Sequence, residues 1–247
     1  MPVFSAYDIV RLWENGCRQH PLDRALTMLA RACPEVDRSS LAALTIGQRD
    51  ALLLELREQV FGGKMEAFAE CPQCRERLEF SLETADFLSF PDIDLFEVGK
   101  SLRYEEDGLH VTYRLPDSRD LAVAAGCGTP EAARAVLVQR CILESSLDNR
   151  QIPPLDLPDA ITAEIAARMS ETDPVGDIVL NLSCPACHVD WQQPFDIGSF
   201  FWTEIAVHAK RLLREVHALA RAYGWGEGEI LSMSYDRRNY YLEMIEG

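Results

Sequence analysis

Ala69-Glu70-Cys71-Pro72-Gln73-Cys74-Arg75 and Leu182-Ser183-Cys184-Pro185-Ala186-Cys187-His188 are two versions of one motif. Each is a C-x-x-C pair with Pro directly after the first Cys. Both lie between stretches that alternate apolar and polar residues. Met65, Ala67 and Ala69 precede the first pair, with Phe68 breaking the pattern, and Leu78, Phe80 and Leu82 follow it. Ile178, Leu180 and Leu182 precede the second, and Trp191 and Phe195 follow it. A period of two marks half-buried strands, so each pair reads as the tip of a β-hairpin.

The chemistry explains the layout. A structural zinc ion takes four ligands tetrahedrally and favours cysteine thiolate. One C-x-x-C turn aims two sulfurs at a point, and a second turn closes the shell. Cys71, Cys74, Cys184 and Cys187 are therefore the expected ligands of one structural zinc. The 109 residues from Arg75 to Ser183 make this a ribbon interrupted by an insert. Three other readings compete. A redox C-x-x-C opens a helix in a βαβ unit, whereas these pairs sit between strands. Two separate metal sites, one completed by His188 or another histidine, are the second. Lost metal binding is the third. His188 stands where a small residue, often Gly, follows such a turn, and reads as an exposed or supporting residue rather than a ligand. A four-thiolate shell leaves no open position for water or substrate, which argues for structure and against metal catalysis.

The chain has 247 residues, 47% of them apolar, enough for one large domain or two small ones. No apolar stretch approaches the roughly 18 residues of a membrane span. Met1 to Asn15 lacks an apolar signal core, so the protein is expected to stay in the compartment where it is made. The net charge is -16, which makes nucleic acid an unsuitable primary partner. Residues 101–198 hold 7 basic and 16 acidic residues, a net of -9, and residues 199–247 hold 6 and 7, a net of -1. The acidic middle reads as a solvated surface or as one that docks on a basic partner. Cys17, Cys33, Cys127 and Cys141 follow no pattern and are expected as small core residues in a reducing compartment.

Outward from the knuckles the chain reads as helical. Tyr7 to Glu14 is a short amphipathic helix, and His20-Pro21 opens a second one. Thr45 and Gln48 form a capping box before Leu52, Leu53 and Leu56, and Gly62-Gly63 stops that helix. Inside the insert, Asp107-Gly108 is a hairpin turn between two short strands. Thr129-Pro130 starts a helix that runs to Cys141. Asn149 to Pro158 reads as a Pro-rich loop, and Asp159 to Met169 as another helix.

The C-terminal helix carries Ile205, Ala209, Leu212, Val216, Leu219 and Tyr223 at spacings of 4, 3, 4, 3 and 4. This heptad stripe packs on the rest of the chain or on a partner. Leu212, Val216, Leu219, Tyr223, Trp225, Tyr240 and Tyr241 are the candidate partner-binding residues. No catalytic constellation can be assembled: the five histidines show neither metal-ligand nor triad spacing, and Glu105-Glu106-Asp107 reads as a solvated turn. The protein is expected not to be an enzyme.

The fold expected is α+β and mostly helical, with a split zinc ribbon and a long inserted α/β subdomain. Its parts are a helical region 1–63, the ribbon 64–83 with 176–197, the insert 84–175, and C-terminal helices 198–247.

Several motifs in order resemble the T-even-type phage baseplate proteins, or baseplate hub assembly chaperones, of contractile tails and phage-tail-like injection systems. They are Leu56-Arg57-Glu58-Gln59-Val60-Phe61-Gly62 before the first knuckle, Arg114-Leu115-Pro116, and the second knuckle with Phe195-Asp196-Ile197. His217-Ala218-Leu219-Ala220, Tyr223-Gly224-Trp225, Glu229-Ile230-Leu231 and Arg237-Arg238 complete the set. The resemblance covers most of the chain from about residue 45. It implies a role in baseplate assembly or structure, through contacts with baseplate, hub, spike or tube proteins, while the charge and the lack of a long apolar stretch lead us to expect no nucleic-acid or membrane partner. It also implies a cytoplasmic location during assembly, or a place in the finished tail particle. A zinc-ribbon adaptor or regulator unrelated to tails is the alternative. Arg75 and His188 depart from the pattern, standing where Gly is expected after each knuckle.

Overall fold

The computed structural model describes residues 4–88 and 100–246. Part of the insert, residues 89–99, lies outside them. In chain order the elements are α1 (Ala6–Gly16), α2 (Pro21–Ala32), α3 (Arg38–Ala42) and α4 (Ile46–Phe61). Then come β1 (Lys64–Glu70), β2 (Arg77–Glu83), α5 (Thr84–Leu88), β3 (Ser101–Glu106), β4 (Leu109–Arg114), α6 (Ser118–Ala124) and α7 (Pro130–Cys141). β5 (Ile142–Leu147), β6 (Arg150–Gln151), α8 (Asp159–Thr172), β7 (Val179–Ser183) and β8 (Asp190–Pro194) follow. The chain ends in α9 (Ile197–Tyr223), α10 (Glu227–Ser232) and α11 (Tyr235–Glu246). The fold is α+β, with helices dominating and three small antiparallel sheets.

Two compact units divide these elements. One takes the chain up to Glu35 together with Ile197 onward, and the other takes Val36–Asp196. The first unit is all helical. Ser5 and Asp8 form a capping box that starts α1, and His20 accepts from the Leu22 N–H to start α2. α1, α2, α10 and α11 all pack against α9. Ile205, Ala209, Leu212 and Leu219 are fully buried along the α9 stripe, so the stripe is core. α9 begins at Ile197, eight residues before the stripe, because Phe201 and Trp202 extend its buried face.

The second unit starts from α4. Thr45 and Gln48 cap one another as the sequence pattern requires, and Gly62 at φ 89° ends the helix. Asp173, in the turn after α8, accepts from the Gly47 N–H at 2.9 Å, filling one of the helix's free donors. Between the knuckles, β3, β4, β5 and β6 form one antiparallel sheet in that order. Asp107 and Gly108 both have positive φ, as a two-residue hairpin turn demands. Tyr104, Val111, Tyr113 and Ile142 from this sheet meet Ile165 and Met169 of α8 in a core belonging to the insert.

The stretch 149–158 differs from the loop expected there. Residues 142–147 form β5, and Arg150–Gln151 pair back onto it as β6. The Asp148-Asn149 turn that joins them sits in the left-handed region at both residues. A strand following directly on helix α7, without Gly or Pro between them, gives no local signal. Its register is set by pairing with β4.

Candidate metal centre

Each knuckle is built the same way. β1 and β2 pair through Glu70 and Arg77, and β7 and β8 through Ser183 and Asp190. At the first tip the Cys71 N–H donates to the Glu76 carbonyl at 2.9 Å, and the Arg75 N–H to the Cys71 carbonyl at 3.0 Å. At the second, the Cys184 N–H donates to the Val189 carbonyl at 2.9 Å, and the His188 N–H to the Cys184 carbonyl at 3.0 Å. Arg75 and His188, the residues where Gly was expected, adopt φ 64° and 57°. The turn therefore keeps its left-handed geometry without Gly, at a steric cost of about 1 kcal/mol per residue.

These two turns bring four sulfurs together. Cys71 and Cys187 Sγ are 3.6 Å apart, Cys74 and Cys184 Sγ are 3.5 Å apart, and all four lie within 4.8 Å of one another. A tetrahedral shell with metal–sulfur bonds of about 2.3 Å has sulfur–sulfur edges of about 3.8 Å. The donor set fits a single thiophilic metal ion. Among the described residues it is the group of metal-ligating side chains that converges in this way, and it contains no imidazole or carboxylate. His188 is exposed and outside it.

The backbone prepares the sulfurs for negative charge. The Cys74 N–H, followed by that of Gln73, holds the Cys71 thiol down at about 6. Glu76 donates to Cys74 in the same manner, but burial and the neighbouring thiols outweigh it and push Cys74 up to about 12. The Val189 N–H donates to Cys187 and lowers that thiol, but burial together with the Cys184 and Cys71 thiols leaves it raised. One thiolate forms readily and opposes the next, which is how a cluster behaves when a cation is needed to hold all four as thiolates. Cys71 and Cys184 are buried, Cys187 is half-buried and Cys74 is exposed.

The other four cysteines stand outside this cluster. Cys141 is a core residue, and burial pushes its thiol up to about 12. The expectation that all four are core fails for the rest: Cys33 and Cys127 are half-buried and Cys17 is exposed. Cys17 caps the C-terminus of α1, where its side chain faces solvent and donates to the Glu14 carbonyl at 3.3 Å.

The candidate partner-binding residues separate into two groups. Leu212, Val216 and Leu219 are buried inside their own unit, where α1, α2, α10 and α11 pack against α9. Tyr223, Trp225, Tyr240 and Tyr241 form one exposed or half-exposed aromatic cluster. Tyr223 stacks on Trp225 with centroids 4.5 Å apart, and Tyr241 meets Trp225 edge-on at 4.8 Å. Tyr240 meets Tyr241 edge-on at 6.5 Å. Arg238 is the one fully buried side chain of α11 among the described residues, held by Glu215 at 3.0 Å.

Two of the motifs that support the resemblance have structural roles that spacing does not show. Arg114 donates to both oxygens of Asp120 at 2.6 and 3.0 Å, and Arg140 adds a third bond at 2.9 Å. Asp120 is fully buried, so these charges neutralise it. Pro116 two residues later accepts the Ile46 N–H at 3.0 Å, tying the insert to the start of α4. Arg57, within the motif before the first knuckle, is buried and donates to the Gly62 carbonyl that ends α4.

Fold and site together define an α+β protein in which two hairpin turns from distant parts of the chain assemble a four-cysteine cluster able to hold one metal ion. The family model described as T4 bacteriophage base plate protein matches residues 17–202, about three quarters of the chain, and the chain belongs to that family. The matched stretch takes in both knuckles and the insert. It begins ahead of the residue 45 from which the resemblance was read, and stops before the C-terminal motifs from His217 to Arg238. No curated protein and no solved structure matches the chain. Among the described residues no helix is long and apolar enough to cross a membrane.

Proposed function

We propose that this chain is a non-catalytic baseplate protein whose four cysteines hold one structural zinc ion and which acts by binding other proteins of a contractile tail. The observation that carries the metal part is the convergence of Cys71, Cys74, Cys184 and Cys187 within 4.8 Å, from hairpins separated by the whole insert. An all-thiolate set suits zinc, and its closed shell gives substrate no place to coordinate. In this reading the ion closes the loop formed by the insert. The hairpins are two-stranded sheets, which are marginal alone, so the ion supplies the constraint they lack.

The partners in this reading are hub, spike, tube or other baseplate proteins. Tyr223, Trp225, Tyr240 and Tyr241 are one contact surface, since clustered aromatic side chains with exposed faces are the usual energetic centres of interfaces. Assembly takes place in the cytoplasm.

Two measurements test this. Native mass spectrometry and elemental analysis of protein purified without added metal should find one zinc per chain. A native pull-down of the tagged protein from its host should recover sheath, tube, spike or baseplate proteins, and sedimentation should tell a resident of the particle from an assembly factor. A chain with no metal at full stability removes the zinc reading. Recovery of no tail protein from particle-producing cells removes the assembly role.

A further inference from the structure

We infer that the β5–β6 hairpin and the turn that follows it, residues 142–157, dock a basic, apolar-faced segment of a neighbouring baseplate protein; this rests on the baseplate role proposed above. Leu143, Leu147 and Leu155 are 51%, 43% and 74% exposed. Each is followed directly by an exposed carboxylate: Glu144, Asp148 and Asp156. Leu143 and Leu147 lie on β5 and Leu155 lies in the short turn after the hairpin, all three facing solvent, and exposed apolar side chains gathered on one segment mark contact sites.

The backbone puts them there. Thr112 pairs with Glu144 and Tyr113 with Ile142, so Leu143 is the extra residue of a β-bulge and faces no partner. Bulges redirect a side chain in this way. The hairpin is also firmly held. The Ile152 N–H donates to the Ser145 carbonyl at 3.0 Å, and the Ser145 hydroxyl donates to the Ile152 carbonyl at 2.7 Å. Ile142 and Leu157, at its two ends, are buried in the insert core. The exposed leucines therefore sit on a preformed scaffold and need little ordering when they bind.

Charge selects the partner. Residues 36–196 hold 14 basic and 29 acidic residues, a net of -15 out of -16 for the whole chain. The Asp148 N–H donates to the Gly108 carbonyl at 3.0 Å, which sets the acidic Glu105–Asp107 turn beside the hairpin. Arg150 is the hairpin's one basic residue, and His110 pairs with Glu105 at 3.5 Å. A surface of this sign repels phosphate and other acidic proteins and steers a Lys- or Arg-bearing face onto the leucines.

The test uses the tagged full-length chain in a host producing its particles, compared with Leu143→Ser/Leu155→Ser and with Glu144→Lys/Asp156→Lys. Melting and metal content should match wild type for both, because all four side chains face solvent. Co-sedimentation with assembly intermediates should fall about tenfold, as loss of an interface centre does. A carbodiimide, which joins carboxylates to amines at zero length, should link Glu144, Asp148 or Asp156 to lysines of an identified baseplate subunit. Folded variants that sediment like wild type, or cross-links confined to other surfaces, overturn the inference and leave the baseplate role standing. A wild-type chain that associates with no baseplate protein overturns both. If the leucine pair proves unstable, the charge-reversed pair decides alone.

Discussion

The sulfurs of Cys71 and Cys187 lie 3.6 Å apart although the residues are 116 positions apart in the chain. Cys74 and Cys184 repeat the relationship at 3.5 Å across 110 positions. Among the described residues the two hairpins do not share a sheet: each is its own two-stranded sheet. Four thiolates held this closely repel one another unless a cation neutralises them, so the cluster should come apart without metal. Cys74→Ser and Cys187→Ser are expected to give insoluble or protease-sensitive protein, and a strong chelator should lower the wild-type melting temperature. Thermal melting with and without chelator, alongside metal content, checks this. A serine variant as stable as wild type that has seen no chelator would mean that the cluster is not structural.

Arg75 and His188 occupy equivalent left-handed positions after the two knuckles. Gly takes that conformation without steric penalty, so Arg75→Gly or His188→Gly should relieve about 1 kcal/mol of strain, less a few tenths for the freer unfolded chain. A β-branched residue at either position should cost more than the native one. Denaturant midpoints of the Gly and Val variants measure both directions at once.

Two glycines are fixed by what a methyl group would strike. A Cβ at Gly16 would lie 2.4 Å from the Trp202 ring. One at Gly47 would lie 1.7 Å from Asp173 Oδ1, the carboxylate that receives the Gly47 N–H. Gly16→Ala and Gly47→Ala should each cost about 2 kcal/mol in their own unit. Near-ultraviolet circular dichroism should show the first by loss of the tryptophan signal, and hydrogen exchange in α4 should show the second.

Asp50 is buried beside Arg49, which donates to it at 2.7 Å. Burial pushes its carboxyl up to about 6 from an ordinary 3.8, with Asp196 and Asp173 adding to the rise and Arg49 opposing it. A raised folded value means that this residue's contribution to stability is complete below about 3.8 and is lost as pH rises through 6. Asp50→Asn keeps an oxygen for Arg49 and removes the titration. It should stabilise the protein by on the order of 1–2 kcal/mol at pH 7.5, with the difference vanishing by pH 4. Asp8 and Asp120 have lowered values and act in the opposite sense, so the comparison must be variant against wild type at each pH. A difference that does not change with pH would show that Asp50 is not the titrating group.

The cysteine pairs, the hairpins around them, the Thr45–Gln48 capping box and the Asp107-Gly108 turn were all legible in the sequence, because each depends on residues close together in the chain. The missed elements have another origin. β5 and β6 carry no periodic pattern, and their strand character comes from pairing with β4. Nothing local marks Asp120 as buried: Arg114, six residues before it, and Arg140, twenty after it, close on it only in the fold.

What the sequence determined by itself is the local chemistry: four cysteines in two matching turns, an α+β pattern of elements, and a strongly acidic chain. Turn geometry, capping and charge are set by near neighbours and survive without the fold. Tertiary structure alone decided how those pieces are used. It brought the two turns to one point, and buried Leu212, Val216 and Leu219 while leaving the aromatic residues beyond them accessible. It also turned Leu143 outward through a bulge created by a strand 30 residues earlier. A heptad stripe or an isolated leucine has the same local pattern whether it meets its own chain, a partner or water. Only packing distinguishes these cases, because burial depends on what arrives from elsewhere in the chain.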